Sequence, residues 1–142
     1  MKRLLMTTAA LALLATAAHA KPAQLPAEML GAWCPDPEAA QSEKVAWYTR
    51  ATAEQAADSP DCITVSQTEY HGIEDQCEFR SIKVQKLNPW TLYIVRARCV
   101  SAGSKPAMSV FNLMMLGSDL VLRVGGEDAG WPKQSQHNGD VY

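Results

Sequence analysis

The sequence predicts a small all-β domain: an antiparallel meander that closes or nearly closes into a barrel, with a short irregular or helical insertion near 36–58 and two disulfides. Three observations carry that expectation. From Cys62 onward, runs rich in Val, Ile, Thr and aromatic residues recur every ~10–15 residues between turn-forming residues. The chain has 142 residues, 47% hydrophobic and 20% charged, which suits one core. Its cysteines, Cys34, Cys62, Cys77 and Cys99, are even in number and lie well inside the chain.

Met1-Lys2-Arg3 is a short basic start, Leu4 to Ala17 is an almost unbroken apolar run, and Ala18-His19-Ala20 fits a small-x-small cleavage site. That is the layout of a secretory signal peptide, because the run is too short to span a bilayer and Lys21-Pro22 follows it. Cleavage after Ala20 removes two of the 13 basic residues and none of the 15 acidic ones, so the mature chain is more acidic than the formal −2 of the whole. Such a chain is a poor match to nucleic acid or an anionic membrane, both of which reward clustered positive charge. No later apolar run approaches the ~18 residues of a membrane helix. The expected location is the periplasm or the cell exterior. The expected divisions are 1–20 signal peptide, 21–29 leader, 30–124 β domain and 125–142 loose polar tail.

An exported chain meets an oxidising compartment, so the four cysteines are expected as two disulfides. No Cys-x-x-Cys pair exists to start a zinc or redox site. Cys77 and Cys99 are equidistant from Asn88, the centre of the turn Leu87-Asn88-Pro89. A hairpin folded there sets them directly opposite each other, within disulfide reach. Cys34–Cys62 is the remaining pair.

Leu30 to Cys34 is the first candidate strand, with Gly31 marking a bulge, and Pro35-Asp36-Pro37 ends it. Asp36 with Pro37 also fits the start of a helix. The apolar residues of 44–50 are consecutive and suit neither period, but their β-branched and aromatic content favours a strand, with an Ala-rich helical turn at 51–57. Cys62 to Tyr70 reads as one Thr-rich strand, and His71 to Asp75 as a turn. Strands at 77–86 and 91–100 form the Asn88 hairpin. In a straight register Ile82 faces Ile94, Val84 faces Leu92 and Arg80 faces Arg96. The apolar face then switches midway, and a bulge would account for it. Met108 to Leu116 and Leu120 to Val124 form a second hairpin about Gly117-Ser118. Trp33, Met108, Met114 and Met115 are expected in the core.

With the start Gly31-Ala32-Trp33-Cys34, followed by strands marked by Cys62-Ile63, Cys77 and Arg98-Cys99, residues 30–124 resemble small exported bacterial domains of uncharacterised function. In layout they are also similar to lipocalin-like barrels, including the periplasmic protease-inhibitor type, which begin with a Gly-x-Trp strand. The four cysteines and the Pro- and Ala-rich 35–60 segment depart from the inhibitor pattern, and none of that family's functional residues finds a match here.

The chain carries no Gly-x-Ser-x-Gly, His-Glu-x-x-His or mature Ser-x-x-Lys motif, and beyond the leader only His71 and His137 offer an imidazole. An enzyme, a cofactor and a metal site are therefore not expected. Glu69, His71, Glu74 and Asp75 read as a solvated turn before a cation site. Arg80, Arg96 and Arg98 share one sheet face in the straight register, where an anion or a partner's carboxylate would relieve the opposed charges. Trp90 and Trp131, each beside a proline, are candidates for partner contact or for lids over an open barrel end. The functional expectation is a non-catalytic binding module that meets an unknown protein or small ligand at the barrel mouth. The alternative is a structural or envelope-stress protein without a specific ligand.

Overall fold

The computed structural model describes residues 21–40, 45–72 and 74–125. The expected signal peptide, and the tail beyond Gly125 with Trp131 and His137, lie outside the described residues. Eight strands close into an antiparallel barrel: β1 (Gly31–Pro35), β2 (Val45–Arg50), β3 (Ile63–Val65), β4 (Glu69–His71), β5 (Asp75–Leu87), β6 (Trp90–Ser101), β7 (Ala107–Leu116) and β8 (Asp119–Val124). A 3-10 turn, Ala27–Met29, precedes β1, and one short helix, α1 (Ala53–Asp58), joins β2 to β3. The strand at 45–50 and the Ala-rich helical turn after it are present as the composition suggests. No described helix is long and apolar enough to cross a membrane.

The strands run as a meander from β3 to β8, but not at the start. β1 lies between β2 and β3 and pairs antiparallel with both, so β2 and β3 are parallel to each other. Parallel strands need a crossover of about a dozen residues, often helical. Residues 51–62 supply it and carry α1 against β1. Thr52 and Gln55 start that helix with a reciprocal cap: Gln55 N–H donates to Thr52 Oγ1 at 3.1 Å, and Thr52 N–H donates to Gln55 Oε1 at 2.9 Å. The Cys34–Cys62 disulfide then ties the end of the crossover to β1.

All eight strands feed one interior cluster, in which Trp33, Val95, Ala97 and Leu120 are fully buried. Alternation puts Tyr93, Val95, Ala97 and Cys99 of β6 inside and Leu92, Ile94, Arg96 and Arg98 outside. Cys77 pairs with Cys99 across the hairpin and is bonded to it. Beyond Phe79 the straight register fails. A bulge leaves Arg80 without a cross-strand register partner and pairs Ser81 with Arg96, so Ile82 pairs with Val95, Lys83 with Ile94 and Val84 with Tyr93. The extra residue turns Ile82 inward in phase with Phe79, which is why the apolar positions change parity along β5. It also removes the expected Arg80–Arg96 and Ile82–Ile94 pairs.

Two further expectations are corrected. Cys62 to Tyr70 is not one strand: the chain reverses at Ser66–Thr68 and separates β3 from β4. Ser66 drives the reversal, since its Oγ accepts the N–H groups of Thr68 at 3.2 Å and Glu69 at 3.0 Å. Met108 is 62% exposed on the outer face of β7 and fills no core.

Candidate functional site

The two barrel ends differ in construction. At one end the residues before β1 form a plug. Leu25 and Met29 are buried, and the Gln67 side chain holds Leu25 by accepting its N–H at 3.0 Å and donating to its carbonyl at 2.7 Å. Trp33 Nε1 donates to the Met29 carbonyl at 3.0 Å. Arg50 lies over the Trp33 ring, 3.9 Å from its centroid, and donates to the carbonyls of Glu28 and Leu30. Gly31, at φ +113°, lets the chain turn past the guanidinium; a Cβ there would meet Arg50 Nη1 at 3.1 Å. Residues 21–29, a leader by composition, thus seal this end.

The opposite end holds a cavity. Tyr48 of β2, Asp61, Ile63 of β3, Tyr70 of β4, Glu74 and Asp75 of β5 line a cavity of about 200 Å³. Tyr48 and Tyr70 project from alternating inward positions, and Tyr70 stacks on Phe111 with centroids 5.6 Å apart. Gly72 leaves room for the Tyr70 hydroxyl, since a Cβ there would sit 3.2 Å from it. Asp75 accepts the Ser101 hydroxyl, which fixes one rim carboxylate. Burial pushes the Tyr48 phenol above its ordinary 10.0, with the Asp61 charge adding to the effect. Burial also raises Tyr70 strongly, with Tyr48 and Asp75 contributing. Both phenols therefore stay protonated, each offering one donor and an acceptor beside carboxylates. Among the described residues that line this cavity none is basic.

Among the described residues no three His, Cys, Asp or Glu gather as metal ligands. Within the expected turn cluster, His71 lies 3.2 Å from Glu69 across two exposed positions, while Glu74 and Asp75 face the cavity instead. A second, larger groove of about 440 Å³ runs between α1 and β1, but small residues such as Ala32, Ala53 and Ala56 line it.

The arginines named from the sequence are elsewhere. Arg80 donates to Glu78 Oε2 at 2.9 Å, Arg98 stands opposite Glu78, and Arg96 faces Ser81. All three lie on the outer sheet face, with no Arg–Arg opposition. Trp90 begins β6 at the hairpin end remote from the mouth and packs against Leu92, Ile94 and Met114; Trp131 is outside the described residues. Sequence reasoning overlooked Tyr48, Asp61 and Tyr70, because only barrel closure brings β2, β3 and β4 together.

No protein-family model, curated protein or solved structure matches the chain.

Proposed function

We propose that the protein is an exported, non-catalytic binding module whose open mouth takes a small ligand bearing an ammonium or guanidinium group on a short apolar body. The observation that carries this reading is Tyr48. Its side chain is nine-tenths buried and lines the mouth, and its hydroxyl makes no hydrogen bond to any described residue. Buried polar groups are normally partnered, so a donor-bearing ligand completes the site. Asp61, Glu74 and Asp75 supply the charge that favours a cation, and the Tyr70 ring offers an aromatic face. Two disulfides suit an oxidising compartment, which supports export of the chain after cleavage near Ala20. The closed antiparallel barrel is also in keeping with the lipocalin-like resemblance of its Gly-x-Trp start.

The test is calorimetric titration of the mature protein with phenethylammonium, phenethyl alcohol and 3-phenylpropionate, which share a body and differ in charge. The cation should bind tightest, with Asp61→Asn weakening it at least fivefold and leaving the alcohol unaffected. Equal affinities, or preference for the anion, would overturn the proposal. The densely filled interior favours a second reading, a scaffold without a specific ligand, and binding of none of the three probes would support that instead.

A further inference from the structure

β5 outruns the strand on one of its sides. Against β6 it pairs from Asp75 opposite Ser101 to Leu87 opposite Trp90, broken by the bulge at Arg80. On the other side β4 meets Gln76, Cys77 and Glu78, and the last bond is Phe79 N–H to the Thr68 carbonyl at 2.7 Å. Among the described residues no strand lies alongside 80–87 there. That stretch is a free sheet edge about 24 Å long. Alternate peptide groups of a strand turn toward the same neighbour, so about half of its N–H and C=O groups face outward. Unpaired edges of this kind are templates for another strand, and proteins blunt them with shortness, bulges or charge. Here the bulge stands at the near end, and from Ser81 to Leu87 the register with β6 is unbroken. Charge alone guards the rest.

We propose that this edge takes an extended acidic segment of a partner protein as an added strand. Arg80, Lys83 and Lys86 lie along it, and no carboxylate falls between Phe79 and Thr91, although the chain as a whole is acidic. Arg80 bonds Glu78, and Lys86 Nζ donates to Thr91 Oγ1 at 3.2 Å. Lys83 is exposed and has no carboxylate partner among the described residues. The pleat sorts recognition by face. Ser81, Lys83 and Gln85 stand on the outer face, while Ile82 packs inward and Val84, two residues on, is 39% exposed on the same inner side. The matching segment alternates, with a carboxylate beside Lys83 and an apolar side chain beside Val84. Its main chain completes the open edge, and its carboxylates select it. A second copy of this edge fits poorly, because antiparallel pairing would set Lys83 and Lys86 among the same cations of the other copy. The surface is separate from the cavity lined by Tyr48 and Tyr70 and does not depend on the ligand proposed there.

The experiment uses the isotope-labelled full mature chain and the end-capped peptide Ser-Val-Glu-Val-Glu-Val-Glu-Ser, beside its analogue with lysine for every glutamate. The acidic peptide should slow amide exchange at least tenfold at the outward-facing amides of 80–87. The lysine analogue should bind at least tenfold more weakly. Methylating alternate peptide nitrogens blocks one edge of the added strand, so one of the two alternating patterns should abolish binding. Lys83→Glu, at an exposed position, should reverse the preference between the two peptides. Equal binding of the acidic and basic peptides, or no protection within 80–87, would overturn the proposal. Outward amides of 80–87 that are already protected in the free protein would overturn it too, since this chain or a second copy then occupies the edge.

Discussion

Tyr48 and Tyr70 are the two buried phenols at the acidic mouth of the barrel. Their phenols ionise only above the ordinary tyrosine range, because burial and neighbouring negative charge disfavour the anion. A group with a raised folded-state pKa stabilises the fold fully below its unfolded value, here 10.0, and loses that contribution as pH climbs above it. The protein should therefore lose stability on alkaline titration, with a late tyrosinate step at 295 nm that diminishes in Tyr48→Phe and again in Tyr48→Phe with Tyr70→Phe. Tyrosines that all titrate together near 10, with no loss of stability, would contradict the burial of these rings. Neither residue announces itself in the sequence. Tyr48 sits in a run of consecutive apolar residues that obeys no period, and Tyr70 closes a segment that reads as one strand. By contrast, Trp33 was legible as core from its strand context beside Cys34.

The β5–β6 hairpin is the element whose geometry the sequence exposes most clearly. The turn residues locate the reversal, but it falls on Asn88–Pro89, with Leu87 opposite Trp90, and the extra residue at Arg80 restores the register in which Cys77 and Cys99, equidistant from Asn88, face each other. The parity change between Phe79 and Ile82 signals an irregularity, but not its position, because one extra residue anywhere between them restores the inward phase. The structure sets it at Arg80–Ser81, and that choice dissolves the opposed arginines on which an anion site would have rested. A cross-strand bridge pins this long hairpin, and removing a native disulfide from a small domain typically costs about 2–5 kcal/mol. Cys77→Ala with Cys99→Ala should lower the melting temperature clearly, while non-reducing peptide mapping still recovers Cys34 joined to Cys62. A melting temperature equal to the parent's would contradict the bridge's role. The β3–β4 pair shows the opposite case. Three-residue strands leave too short a pattern to read, and the Ser66 turn hides inside an alternating Thr-rich run.

For the whole molecule, closure depends on pairings between residues distant in sequence. The meander from β3 to β8 follows from neighbouring hairpins, but the insertion of β1 between β2 and β3 does not. It requires the crossover at 51–62, whose parallel flanking strands have no local signature. That insertion also gives the barrel two unlike ends: a plug locked by Arg50 and Gln67, and an acidic mouth floored by two tyrosines. We propose that a small ligand binds at this mouth and not on the arginine-bearing outer face. Amide shift mapping of the mature protein during titration with phenethylammonium tests it most directly. Perturbations are expected to cluster at Tyr48, Asp61, Tyr70, Glu74 and Asp75. Perturbations centred on Arg80, Arg96 and Arg98, with the mouth residues unmoved, would contradict it.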